Sequence, residues 1–343
     1  MSKLAEALKK INSKSSVVGG YHEVPHESGA ISTGMIGLDR YFRDGGIPRG
    51  RWSMAYGDAN AGKSTMVLGM IAQLHADWDA GRVERGRVLF VNTENAFDDE
   101  YARAIGVQVD DPDKFLVTAP DDGMNTIDII EQLVSTGEID LVVLDSLTFM
   151  VPRAMLELEA DKTKQPATFA RQNSLFVRRL TGKLARTNTA IMVVNHLVGT
   201  MEKDYHGNVI KNPGGGDMIQ NACSVKLKLT KKARPLGPDG KPVSSADMNE
   251  SVASATTVRI EKNKRGRQYV DIDLRLDFQT GFDRIFDTFE TATEAGIIVA
   301  NGARYSYADT KWHGQQNVLD GLKGNPELFE QIRVATRAHY GLT

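Results

Sequence analysis

Gly57–Ser64 reads GDANAGKS and satisfies the pattern G-x-x-x-x-G-K-[ST] at every fixed position. An apolar approach (Trp52, Met54, Ala55, Tyr56) precedes it, and a helix-forming run (Thr65, Met66, Val67, Leu68, Met70, Ile71, Leu74) follows. This strand–loop–helix context separates a phosphate-binding P-loop from an ordinary glycine turn. Its glycines let backbone N–H groups turn inward around phosphates, with the helix N-terminus adding the positive end of its dipole. The candidate nucleotide cradle is therefore Gly57, Asp58, Ala59, Asn60, Ala61, Gly62, Lys63, Ser64 and Thr65. Lys63 supplies charge to the β- and γ-phosphates, and the Ser64 hydroxyl is a candidate Mg²⁺ ligand.

Outward from the loop, Val88–Asn92, Leu141–Leu144 and Ala190–Val194 are short and almost wholly apolar, as strands covered on both faces of a parallel sheet are. Helical spacing lies between them, at Thr126, Ile127, Ile130, Leu133 and Val134, and again at Phe169, Phe176, Leu180 and Leu184. Strand and helix alternating around a P-loop predict a doubly wound α/β core. After residue 220, Ser224–Thr230 and Val270–Phe278 alternate apolar with polar. This predicts antiparallel strands with one wet face, the second turning Val270, Ile272, Leu274, Leu276 and Phe278 the same way. Between them PLGPDGKPVSSADMNES reads as a loop. Residues 2–14 read as a short amphipathic helix and the Ser/Gly/Pro-rich segment after them as a linker. From Asp283 helical patterning returns. The predicted organisation is an N-terminal helix and linker over 1–30, a P-loop core over 31–282, and a small C-terminal lobe over 283–343.

With 343 residues, 41% hydrophobic and 25% charged, the chain has an ordinary globular composition. A net charge of −2 excludes a uniformly basic coat, so any nucleic-acid contact must come from local patches. One cysteine, Cys223, excludes an internal disulfide and fits a reducing compartment. No apolar run approaches a membrane span, and the opening MSKLAEALKKINSK carries no secretory apolar region; a cytoplasmic protein is expected.

Two acids stand at strand ends. Asp145 closes the run Leu141–Leu144, where a carboxylate beside a P-loop organises Mg²⁺ through water or the Ser64 hydroxyl. Glu94 follows VLFVN and can polarise the water that attacks a γ-phosphate.

The P-loop is followed in order by VLFVNTENAFDDEYARAIGV, DLVVLDSLTFMVP, TAIMVVNHL, PGGGDMIQNACSVKL and VRIEKNKRGRQ. With ISTGMIGLDRYFRDGGIPRGR before them and NGARYSY after, this collinear series from about residue 30 to 335 resembles the RecA family of homologous-recombination proteins. The resemblance implies a RecA-like P-loop ATPase fold: a mostly parallel sheet with an antiparallel extension, a short N-terminal polymerisation helix and a small C-terminal α/β lobe. It implies a DNA-dependent ATPase that forms a helical filament on single-stranded DNA and pairs it with homologous double-stranded DNA. ATP and Mg²⁺ would be the cofactors, and single-strand-binding and loader proteins the accessory partners.

Residue by residue, the resemblance makes Glu94 the water-activating glutamate and gives Asp98 and Tyr101 the adenine. It makes His196 the γ-phosphate sensor. Lys262 and Lys264 match lysines that reach the neighbouring subunit's ATP. Two loops, Leu158–Pro166 and Leu197–Pro213, would hold single-stranded DNA. Lys162, Lys164, Lys203 and Lys211 offset phosphate charge there, Met201, Val209 and Ile210 wedge between bases, and Gly214, Gly215 and Gly216 offer N–H groups. Three features depart from the bacterial pattern: histidine for glutamine at 196, Asn221 for an interface phenylalanine, and no acidic C-terminal tail. The histidine, a titratable donor, is closer to the UvsX-type recombinases of bacteriophages. A ring-forming helicase would bring a larger N-terminal domain than residues 1–30 provide, and a regulatory ATP-binding oligomer would show no DNA stimulation.

Overall fold

A computed structural model describes residues 29–156, 165–203, 205, 207, 209–237, 240–244 and 248–342. The helix expected over 2–14, its linker up to Ser28, and Lys162 and Lys164 lie outside the described residues, while Ala30 at the linker's end belongs to a strand.

β1 (Ala30–Ile31) pairs antiparallel with β2 (Ile47–Pro48), with the short helix α1 (Ile36–Asp39) between them. β3 (Trp52–Gly57) enters the phosphate loop and α2 (Lys63–Asp79). Next come β4 (Arg87–Asn92), α3 (Asp99–Ile105), β5 (Phe115–Thr118), α4 (Gly123–Ser135) and β6 (Ile139–Asp145). A 3₁₀ turn (Leu147–Phe149) and α5 (Arg153–Leu156) follow. Then come α6 (Gln165–Thr187), β7 (Ala190–Lys203), β8 (Val209–Pro213) and α7 (Asp217–Ala222). Three longer strands, β9 (Val225–Leu236), β10 (Ala253–Asn263) and β11 (Val270–Asp277), precede β12 (Gly281–Phe282). The chain closes with α8 (Arg284–Glu294), β13 (Val299–Asn301), β14 (Arg304–Tyr307), β15 (Thr310–His313), α9 (Gln315–Gly324) and α10 (Pro326–His339).

The main sheet has the order β12-β11-β10-β9-β3-β7-β6-β4-β5, with β8 hydrogen-bonded to β7 off that path. All neighbours from β9 to β5 are parallel, and β10 to β12 extend the sheet antiparallel. Period-two alternation sorts β6 between two cores. Leu141 and Val143 join Met66, Met70 and Ile71 of α2, while Val142 and Leu144 join Ile127, Ile130, Phe176 and Leu180 of α4 and α6. All four β6 side chains are fully buried, each contributing roughly 1.5–3 kcal/mol as an upper bound. The run is apolar on both sides because both faces are covered.

Three expectations are corrected. β9, read as antiparallel, runs parallel to β3 on one side and antiparallel to β10 on the other. Its alternation survives because Leu227 and Leu229 are buried while Lys226 bonds Glu261 at 2.6 Å. The segment after Leu197, read as a loop, is largely a hairpin: β7 continues to Lys203 and β8 returns antiparallel, Val198 facing Asn212 and Gly199 facing Lys211. Phe278 does not join the buried face of β11; it lies past the strand end and is substantially exposed.

The C-terminal lobe has its own core of Phe289, Ala292, Ile298, Val318, Leu319, Leu322 and Ile332. It is also bound to the start of the core. Buried Asp287 of α8 accepts from the N–H groups of Ile36 (2.6 Å) and Gly37 (3.1 Å) at the head of α1. Arg40 meets Glu294 and the Tyr340 hydroxyl, each at 2.8 Å.

Candidate active site

The parallel strands end together at one edge, and their order sets the chemistry there. β3, β7, β6 and β4 are neighbours, so Gly57, His196, Asp145 and the turn carrying Glu94 converge although they are far apart in sequence. This is the end of an open α/β sheet where ligands bind.

Two glycines shape the P-loop. At Gly57 φ is +151°, and a Cβ would lie 1.9 Å from the Leu229 carbonyl oxygen of β9. Gly62 caps α2 in the left-handed region at φ +89°. Lys63 is buried, and its Nζ donates to the carbonyls of Asp58 (2.7 Å) and Gly57 (3.3 Å). Burial lowers its pKa, while Asp145, Glu94 and Asp58 favour the charged form.

Asp145 ends β6 largely buried, and the Ser64 hydroxyl favours its ionised form. Burial pushes its carboxyl upward, Glu94 adds to this, and Ser64, His196 and Lys63 oppose it. Its Oδ1 is buried without a protein partner. An unpaired carboxylate oxygen beside a hydroxyl is a hard oxygen pair of the kind Mg²⁺ takes alongside water and phosphate. Among the described residues no cluster of three His, Cys, Asp or Glu is placed to hold a metal ion.

Glu94 and His196 were given separate roles from the sequence. In the structure they touch: His196 Nε2 lies 2.7 Å from Glu94 Oε1. A carboxylate only accepts, so the imidazole donates. Asn195, assigned nothing from sequence, is fully buried and organises this corner. Its Oδ1 accepts from the His196 N–H and its Nδ2 donates to the Gly214 carbonyl.

Asp98 and Tyr101 border a cleft with Ser64, Glu94, Phe97 and Asp145. Asp98 also caps α3, its Oδ1 accepting from the Tyr101 N–H at 2.9 Å. The Tyr101 hydroxyl lies 3.3 Å from Thr65 Oγ1. The expected adenine pair thus borders the P-loop.

Of the candidate DNA contacts, Lys203, Val209, Ile210 and Lys211 lie on the β7–β8 hairpin, with both lysines and Val209 exposed. Met201 is in β7. Gly214 does not fit the free phosphate donor expected: its N–H is donated to the His196 carbonyl at 3.1 Å. Gly214 and Gly215 are buried, and a Cβ on Gly215 would lie 2.5 Å from Leu147 Cδ2, so close packing explains the second of these glycines.

Lys262 and Lys264 lie away from this edge. Lys262 pairs with Lys226, which is level with Met54, three residues before Gly57 on β3. That is about 10 Å along the strands and two strands sideways from the P-loop of the same subunit. Lys262 Nζ instead donates to the carbonyls of Gln220 (3.0 Å) and Asn221 (3.2 Å), and Lys264 Nζ to that of Asn221 (3.3 Å). Both lysines thus cap the C-terminus of α7, a favourable place for cations. Burial, then the neighbouring Lys264, depresses the Lys262 amine.

Residues 2–283 match the family model of the RecA N-terminal domain. Curated relatives carry the name Protein RecA. That of Rhodospirillum rubrum is 34% identical over 318 residues, covering 91% of this chain and 80% of the relative. That of Thermus thermophilus is 35% identical over 306 residues, covering 88% and 83%. That of Bordetella petrii is 32% identical over 347 residues, covering 99% and 90%. With its P-loop, strand-end acids and hairpin on one edge of a mixed sheet, this chain belongs to the RecA family of homologous-recombination proteins.

Proposed function

We infer that this chain, a RecA-family DNA strand-exchange recombinase, links ATP hydrolysis to its grip on single-stranded DNA through contacts between successive subunits. One observation carries the reading: within a subunit, Lys262 and Lys264 cannot reach their own P-loop. Head-to-tail stacking that sets the lysine end of one subunit over the phosphate loop of the next completes the site. A heterologous contact whose rotation does not close propagates as a helical filament.

At such an interface Glu94 takes a proton from water, whose oxygen attacks the γ-phosphorus as ADP leaves. Lys63 from one side and Lys262 and Lys264 from the other offset charge on the transferring phosphoryl group. Ser64 and Asp145 would hold Mg²⁺, which when bound neutralises phosphate charge. Tyr101 lies against the adenine and Asp98 meets its exocyclic amine. Lys203 and Lys211, with Lys162 and Lys164, contact DNA phosphates, and Met201, Val209 and Ile210 contact bases.

The working units are residues 1–30 for docking, 31–282 for catalysis and 283–343 as a lobe. Homologous duplex DNA is the second DNA partner, with single-strand-binding and loader proteins as accessories. Among the described residues no helix is long and apolar enough to cross a membrane. ATPase assays with and without single-stranded DNA, read beside electron micrographs of the same mixtures, test the reading. DNA-stimulated hydrolysis with helical filaments is the expected result; closed rings, or assemblies and hydrolysis indifferent to DNA, would overturn it.

A further inference from the structure

The Glu94–His196 contact has a third member. The ring of Phe149 stands edge-on to the His196 imidazole, centroids 6.2 Å apart at 75°. Phe149 is 53% exposed, although it lies between Met150, which is buried, and a turn whose Leu147 is fully buried. The turn is therefore anchored while one aromatic ring is left at the surface. Backbone bonds fix its path: Phe149 N–H donates to Ser146 and Val151 N–H to Phe149, at 3.2 and 2.8 Å.

Histidine χ2 is a soft torsion, so the direction in which Nε2 points is decided by what touches the ring. Glu94 holds Nε2, Asn195 holds only the backbone N–H, and Phe149 supports the ring. This geometry has a chemical consequence. The Nε2 proton is committed to Glu94, so His196 cannot donate it to a γ-phosphate, and one oxygen of the candidate base is occupied. The pair forms a resting latch. The same turn touches the DNA-binding side, since a Cβ on Gly214, just after the β7–β8 hairpin, would lie 3.4 Å from Thr148 Cγ2.

We propose that Phe149 is a positioning residue that holds His196 on Glu94 and so restrains hydrolysis until the hairpin engages DNA. The proposal rests on the reading of the chain as a DNA-stimulated ATPase. Removing the ring weakens the latch, so Phe149→Ala raises DNA-free ATPase turnover by about three- to tenfold, the size of one edge-to-face pair. KM for ATP changes less than turnover, and the ratio of DNA-stimulated to DNA-free rate falls. Phe149→Tyr keeps the ring edge and stays near wild type.

The test is a double-mutant cycle of DNA-free turnover across wild type, Phe149→Ala, His196→Gln and the double variant, with Phe149→Leu as a second truncation and circular dichroism confirming the fold. The expected result is that the Phe149→Ala increase disappears in the His196→Gln background. An increase of equal size in both backgrounds, or unchanged or lower turnover in both truncations, would overturn the proposal. Wild-type hydrolysis that ignores DNA would instead count against the underlying functional reading, because the cycle uses only DNA-free rates.

Discussion

Lys63 and Glu94 lie a few ångströms from groups that oppose or complete them, so their replacements should fail differently. Lys63→Ala removes the fixed cation of the P-loop, and ATPase should fall roughly a hundredfold or more, with weaker ATP binding. Wild-type turnover in that variant would move the site elsewhere. Glu94→Gln keeps shape and nucleotide binding but removes the proposed base, a loss of roughly 10²–10⁴ in turnover. Its filaments on DNA should consequently outlast those of wild type when ATP is present, and rapid disassembly would contradict the role. At this scale the sequence was informative where a motif fixes spacing: the P-loop and the strand-end acids were legible. The Glu94–His196 bond was not, because 102 residues separate the partners and only the sheet order makes them neighbours. Phe149 was equally silent, since no local pattern distinguishes an exposed aromatic in a turn from a buried one.

Strand direction was the main loss at the scale of elements. Alternation in Ser224–Thr230 reports the pleat of β9, and the pleat is the same in parallel and antiparallel ladders. The β7–β8 hairpin escaped notice because its polar residues resemble a loop. Lys203→Ala with Lys211→Ala on that hairpin should lower single-strand affinity and reduce its salt dependence by up to about two counterions. A slope of log affinity against log salt that does not change would remove both lysines from the phosphate contacts. The junction of α8 with α1 allows a pH test. Burial pushes Asp287 up to about 7, opposed by the Gly37 and Ile36 N–H groups and by Arg40 and reinforced by Asp39. Asp39 itself is raised to about 6 by burial, against bonds from Ser32 and Thr33. A carboxyl raised in the folded state binds its proton more tightly than in the unfolded chain, so stability is lost as pH rises from about 4 through about 7. For Asp287 that loss is at most about 4 kcal/mol. Asp287→Asn has no such ionisation, so wild type should lose melting temperature relative to the variant between pH 5 and 8. Parallel melting curves would show that Asp287 does not titrate in that window.

For the whole molecule, the alternating strands and helices announced the α/β core, and the collinear motifs announced the family. The proposed functional unit was legible only through the resemblance, because a site shared between subunits leaves no mark in one chain beyond the strand register that separates Lys262 and Lys264 from their own P-loop. The most direct test of a shared site mixes two defective proteins on single-stranded DNA, Lys63→Ala and Lys262→Ala/Lys264→Ala, each nearly inactive alone. At equal amounts, random stacking pairs the intact P-loop of one with the intact lysines of the other at about a quarter of interfaces. ATPase should then rise well above either parent, with a maximum near equal mixing. A flat profile across mixing ratios, with both variants shown to bind DNA, would contradict the shared site.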